Sequence, residues 1–301
     1  MKVNIKKVHH LTGHKSSLFA ICLYKNNYQF ITGDGGGYAV LWNLKNTEKA
    51  EVLAKVDSNI FALQFVKATN QLAIGTMSGT INFIDVEDKK LVLQINPGAK
   101  AIFDFFLNNS KLYIATENGT LIIYDVSSNK IIEEIEISDK SLRNFAFNKT
   151  NKQLLIGSSD NSIYIFDIES NSVLNKLNHH KNSVFSVQWL NEDIIASGSR
   201  DAHLNIWKRN VLYKSLPAHY YTINNIAVSA DKKFFATASK DKSIKIWNIE
   251  TFDLIKVIDE SKTEMHTNSV NKLIWIDYQN YLISISDDRN IIVWELIFDT
   301  L

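Results

Sequence analysis

The chain has 301 residues but a single cysteine, Cys22, and only two prolines, Pro97 and Pro217. One thiol cannot close an intrachain disulfide, which fits a reducing compartment. Cys22 falls in an alternating apolar run, so a packed thiol is expected there. Both prolines stand just before an expected inner strand, where no ladder hydrogen bond is lost. Long apolar runs are missing as well: nothing approaches the ~20 residues that a membrane-spanning helix needs. Ser17 to Tyr24 is too short for a signal peptide, follows the Gly13-His14 turn and lacks a small-x-small cleavage site, so it reads as a strand. Nor is there an excess of one charge. With 33 basic and 32 acidic residues the formal net charge is +1, and no global field steers the chain to nucleic acid or an acidic membrane. A cytoplasmic, monomeric protein is expected, with no membrane association and no direct nucleic-acid binding. Walker loop, HExxH, nucleophile elbow and CxxC are all absent. Gly33-Asp-Gly-Gly-Gly has the composition of a phosphate loop without its lysine and helix, and fits a turn between strands.

What is present is a repeat. Hydrophobic residues make up 45% of the chain and aromatic residues 11%, enough for a large core. They come in short alternating runs such as Gln71-Leu-Ala-Ile, Thr80-Ile-Asn-Phe-Ile and Ser243-Ile-Lys-Ile-Trp, separated by Gly, Asn, Asp and Ser turns. No helical period appears. The segment from His180 to Trp207 shows the unit: a histidine, an apolar strand, Ser197-Gly-Ser, Asp201 and Trp207. The same frame returns as His219, Thr237, Asp241 and Trp247, then as His266, Ser284, Asp288 and Trp294. Seven units align on Trp42, Ile84, Tyr124, Phe166, Trp207, Trp247 and Trp294, about forty residues apart.

This chain resembles the WD40 repeat family. The resemblance implies an all-β, seven-bladed propeller of four-stranded antiparallel blades, one domain over residues 1–301. Only seven residues follow Trp294, so the last blade is short of an outer strand, and Val3-Asn-Ile-Lys-Lys-Val is expected to supply it and close the ring. The blades are unequal. Blade one has His14, Thr32 and Trp42 but Gly36 at the aspartate position, with Asp34 nearby. Blades two and three carry Ser78 with Ile84 and Asn118 with Tyr124. Blade four keeps only Asp160, with Phe166. The wide spacing before Trp294 marks a polar insertion around Asp259 to Glu264, and such loops often carry function.

Histidine, serine and aspartate together invite a hydrolase reading. Repetition argues against it, because a catalytic triad is needed once while His180/Ser197/Asp201, His219/Thr237/Asp241 and His266/Ser284/Asp288 share one spacing. The family resemblance makes these residues, with Trp207, Trp247 and Trp294, a structural hydrogen-bond network. The pairs His9-His10 and His179-His180 are poor chelators, since neighbours on a strand face opposite ways; no metal and no cofactor are expected. Lys6-Lys7, Lys89-Lys90 and Lys232-Lys233 read as solubilising groups on edges and turns.

The resemblance also implies that Phe19, Phe61, Phe103, Arg143, Phe185, Asn224 and Asn271 ring the channel mouth. Gly35, Met77, Glu117, Ser159, Arg200, Lys240 and Asp287 face the same side. Aromatic residues and arginine on a concave surface are the usual anchors for a partner, while packing among the rings is the competing reading. The expected function is a non-catalytic interaction scaffold that binds another protein or peptide through Phe19, Phe61, Phe103, Arg143, Phe185, Arg200 and Lys240. Two alternatives stand beside it. One is an enzyme or small-ligand propeller, for which the rim offers only Glu117 and Asp287 in distant blades. The other is a docking subunit of an RNA-associated or translation complex.

Overall fold

A computed structural model describes residues 3–259 and 265–298; the expected insertion around Asp259 to Glu264 lies, beyond Asp259, outside the described residues. The short alternating runs form seven four-stranded antiparallel sheets, in chain order within the first six blades. Blade one runs through Leu18–Leu23, Gln29–Asp34, Tyr38–Asn43 and Glu51–Lys55. Blades two to six begin at Ile60–Val66, Ile102–Asn108, Leu142–Asn148, Val184–Trp189 and Ile223–Val228. The seventh consists of Val270–Ile276, Tyr281–Ser286 and Ile291–Phe298, completed by Val3–Leu11. That last pairing is antiparallel, with Lys7 opposite Trp294 and Leu11 opposite Ile291. The chain therefore ties its beginning to its final blade. A single turn of 3-10 helix, Tyr278–Asn280, sits inside this blade.

The burial pattern follows from stacking. The first strand of each blade packs against those of its neighbours, and the first strand of blade one meets that of blade seven, so the ring is closed. Middle strands are covered on both faces and read as continuous buried runs, such as Leu154, Leu155 and Ile156 beside Ile163, Tyr164, Ile165 and Phe166. Outer strands are exposed along much of their length. The apolar core divides into seven clusters, one at each blade–blade interface. Each cluster needs two blades, so no blade is complete alone. Cys22 belongs to the cluster between blades one and two, and burial pushes its thiol up to about 12, which leaves it protonated and inert.

One irregularity recurs in every first strand and positions the site. The register slips between Leu18 and Ala20, Ile60 and Ala62, Ile102 and Asp104, Leu142 and Asn144, Val184 and Ser186, Ile223 and Asn225, and Val270 and Lys272. The skipped residue is a β-bulge, which bends the strand and re-aims one side chain. Those seven skipped residues are Phe19, Phe61, Phe103, Arg143, Phe185, Asn224 and Asn271.

The residue after the bulge links blades. An Asp104 carboxylate oxygen accepts from Phe145 N at 2.8 Å and from Asn144 Nδ2 at 2.7 Å. Asn144 Oδ1 accepts from Val187 N, Ser186 Oγ from Ile226 N, and Asn225 Oδ1 from Leu273 N, at 2.9 to 3.0 Å. Blades three to seven are thus joined by a polar belt. In blades one and two the same position is Ala20 and Ala62, both buried, so the belt does not continue there.

Candidate functional site

Two groups of polar and aromatic residues could carry function: the repeated histidine network and the channel mouth. In blade five, His180 Nδ1 lies 3.0 Å from Asp201 and Nε2 lies 2.9 Å from Ser197 Oγ, while the Trp207 indole donates to the same hydroxyl at 2.9 Å. An ionised carboxylate only accepts, so Nδ1 carries the ring proton and Nε2 accepts from the hydroxyl. His219, Asp241, Thr237 and Trp247 repeat this geometry in blade six. His266, Asp288, Ser284 and Trp294 repeat it in blade seven.

Blade one differs from the sequence reading. It has a full network, with Asp34 rather than a residue at position 36 supplying the carboxylate. His14 Nδ1 is 2.7 Å from Asp34, His14 Nε2 is 2.8 Å from Thr32, and Trp42 donates to Thr32 at 2.8 Å. Asp34 stands two residues closer to its hydroxyl partner than Asp201 or Asp241 does. The glycine turn after it allows this: the amides of Gly36 and Tyr38 both fold back onto Asp34 Oδ1 at 2.9 Å. At Gly37, φ is +80° and a Cβ would sit 2.1 Å from Val56 O, so only glycine fits there.

The four histidine side chains are at most 1% exposed, so no substrate atom reaches their rings. Burial raises the Asp201 carboxyl, but hydrogen bonds and charge from His180, with the amides of Lys181 and His203, outweigh it and hold the group well below the usual carboxylate range. The Asp241 and Asp288 carboxyls are lowered in the same way against the cost of burial, by His219 and His266. Desolvation lowers His219 from its ordinary 6.5 more than Asp241 raises it.

Blades two to four use other devices. Thr76 clusters with Ser78 and Thr80, and Thr116 donates to Asn118 at 2.6 Å. Asp160 accepts from Tyr164 at 2.6 Å and from Lys176 at 3.0 Å. Apolar contact does the remaining work there: Phe83 stacks on Tyr124 with centroids 5.3 Å apart, and Phe166 is fully buried.

The channel mouth is where the seven bulges converge. Phe19, Phe61, Phe103, Arg143, Phe185, Asn224 and Asn271 line one cavity of about 190 Å³, with Lys272. The rings pack in series and each remains only half-buried. Phe19 meets Phe61 edge-on at 5.2 Å and Phe61 stacks on Phe103 at 5.8 Å. The Arg143 guanidinium continues the series, with Cζ 4.3 Å from the Phe103 centroid and 5.1 Å from Phe185. Burial lowers the Arg143 pKa; Glu117 opposes the shift and Arg200 adds to it. The opposite wall is polar: Asn224 donates to Ser269 Oγ and Val270 O, and Asn271 to Leu18 O and Asp287. Packing and exposure therefore coexist, because each ring gives one side to its neighbour and another to the cavity.

Arg200 and Lys240 are exposed, and their amides bond Ser183 O and Thr222 O, just before the first strands that carry Phe185 and Asn224. They sit at the mouth end, outside the cavity wall. Asp287 is held by Asn271 at 2.7 Å. Three features at this end were not singled out from the sequence. Lys272 follows a bulge that only the register reveals. Tyr220 and Tyr221, 89% and 62% exposed, adjoin the network histidine His219; an aromatic pair between a histidine and a strand was the available signal. Among the described residues no three His, Cys, Asp or Glu side chains cluster as a metal site, and no helix is long and apolar enough to cross a membrane.

Two family models match different parts of the chain. The WD domain, G-beta repeat model matches residues 5–43, 210–248 and 260–295, in three of the network-bearing blades. The NUP159/214 beta propeller model matches 42–197, which takes in blades two to four. Among curated relatives, Protein HIR1 of Mycosarcoma maydis is 27% identical over 40% of this chain and 13% of its own length. Nuclear distribution protein PAC1 of Candida tropicalis is 34% identical over 35% of this chain and 22% of its own. Protein HIRA of Dictyostelium discoideum is 34% identical over 34% of this chain and 11% of its own. The chain therefore spans less than a quarter of the length of each of these relatives. With one propeller model covering just over half of the chain and WD repeats completing the ring, the chain belongs to the WD40-type β-propeller family.

Proposed function

We propose that residues 1–301 form one propeller domain that serves as a non-catalytic protein-interaction platform in the cytoplasm, monomeric by itself, and that a partner segment docks on the channel mouth. The observation that supports this most is the ring of bulge residues. Seven backbone irregularities aim seven side chains at one opening, and five of them are phenylalanine or arginine. Rings only half-covered by their neighbours are favourable anchors, because they are already ordered and their remaining apolar surface gains from burial. Arg200, Lys240, Tyr220 and Tyr221 would extend the contact around the rim. The hydrolase alternative has its serine, histidine and aspartate sealed in the blades, where they satisfy one another. A formal net charge of +1 gives the RNA-associated reading no support.

The test is a pull-down from the cells the chain comes from, with the intact protein beside a Phe61→Ala, Phe103→Ala, Phe185→Ala variant shown by circular dichroism to be folded. Loss of a partner only with the variant supports the mouth as the docking face. Equal capture by both proteins would remove it.

A further inference from the structure

The mouth cavity holds two cations that no carboxylate neutralises. Arg143 donates through Nε to Ser159 Oγ at 2.7 Å. That bond uses one of the five guanidinium N–H groups, and the terminal ones make no hydrogen bond among the described residues. Lys272 lines the same cavity, half-buried, with no ion pair among the described residues. The nearby acids are otherwise engaged or too far. Asp287 accepts from Asn271 at 2.7 Å, and Asp104 from Asn144 and Phe145; Glu117 acts on Arg143 through charge but makes no ion pair with it among the described residues. The amide N–H groups of Asn224 and Asn271 are spent on the wall itself.

A half-buried cation without a counter-ion is costly, and most of that cost is recovered when an anion arrives. The packing of Arg143 between Phe103 and Phe185 holds its guanidinium in place, so little entropy is lost when it binds. At about 190 Å³ the cavity lies below the roughly 300–1,000 Å³ of a drug-sized site, yet it is ample for one side chain.

We propose that the mouth cavity takes a single anionic side chain from the docked partner segment, its head group neutralised by Arg143 and Lys272 and its stem laid against the phenylalanine rings. This rests on the mouth being the docking face and adds what the partner must bring there. Glutamate and phosphoserine both carry such a head.

The purified full chain is applied to an array of short peptides with randomised flanks and a fixed central Glu, Gln, phosphoserine, Ser or Lys. Retention on Glu or phosphoserine about tenfold above Gln and Ser, equivalent to about 1.4 kcal/mol, is expected, and the order of the first two identifies carboxylate or phosphate. Arg143→Met, which keeps an unbranched chain between the two rings, and Lys272→Met, which leaves the stack untouched, should each shrink the preference in folded protein. Retention that ignores the central residue, or a preference unchanged in both variants, would overturn the anion site and leave the platform reading standing. Retention of no peptide would overturn both.

Discussion

Neighbouring residues in the same turns meet opposite ends. Asp201 and Asp241 point into the blade, where the histidine Nδ1–H and backbone amides occupy their carboxylate oxygens. Arg200 and Lys240, one residue earlier, are exposed at the mouth. His219 is likewise sealed, and Tyr220 beside it is 89% exposed. The network holds the residue types that chemistry favours and gives them nothing to react with. The mouth holds plainer residues, phenylalanine, arginine and lysine, with surface left to offer. Residue type alone therefore misdirects; satisfaction and access decide which region can meet a partner.

That contrast separates stability from binding, and four changes probe it. The largest effect should come from deleting residues 1–9, which removes most of the strand that completes blade seven. An unclosed ring exposes the cluster shared by blades seven and one, so cooperative thermal unfolding should be lost and binding with it. Next, Asp241→Ala removes the carboxylate that accepts from His219 Nδ1 and from the Tyr220 and Ser243 amides, leaving His219 Nδ1 only Ser243 Oγ at 3.1 Å, and should cost about 1–3 kcal/mol in denaturant unfolding, while the folded fraction binds peptide as before. Weakened binding per folded molecule would break the separation. Third, Arg200→Ala with Lys240→Ala should change stability by no more than ~0.5 kcal/mol per site while lowering partner affinity several-fold, read by titration calorimetry.

The smallest effect is acid sensitivity of the network. His219 is lowered from 6.5 by burial, so the unfolded state takes up its proton first, and stability falls as pH drops below about 6.5. The carboxyls of Asp201, Asp241 and Asp288 are depressed from 3.8. Their contribution is intact above that value and is lost only as pH falls through their lower folded values. Thermal midpoints should therefore decline gently from about pH 6.5 to 4 and steeply below. A flat profile down to about pH 4 would show that the His219 site contributes nothing.

The blades were legible because each must present one large residue at the same place in its third strand, whether Trp207, Tyr124 or Ile84. The closing strand was legible because blade seven lacked one. Blade one's aspartate was not, because a fixed offset was applied where Gly35, Gly36 and Gly37 let the backbone turn early and bring Asp34 to His14. The polar belt of Asp104, Asn144, Ser186 and Asn225 was missed for a different reason. Its partners are backbone amides some forty residues away, and the bulges that set the alignment leave no mark on residue type. Lys272 was missed on the same account. Phe19, Phe61 and Phe103 were placed at the mouth by resemblance, with packing among the rings as the competing reading; residue type could not decide between the two, and the rings do both.

The most direct test of the mouth as the docking face is site-specific photocrosslinking in cells, with benzoylphenylalanine replacing Phe61 in one protein and Tyr213, exposed on the outer strand of blade five, in another. A discrete adduct from position 61 that is absent from position 213 is the expected result. Adducts from position 213 alone would contradict it and move the partner to the outer edge of the blades.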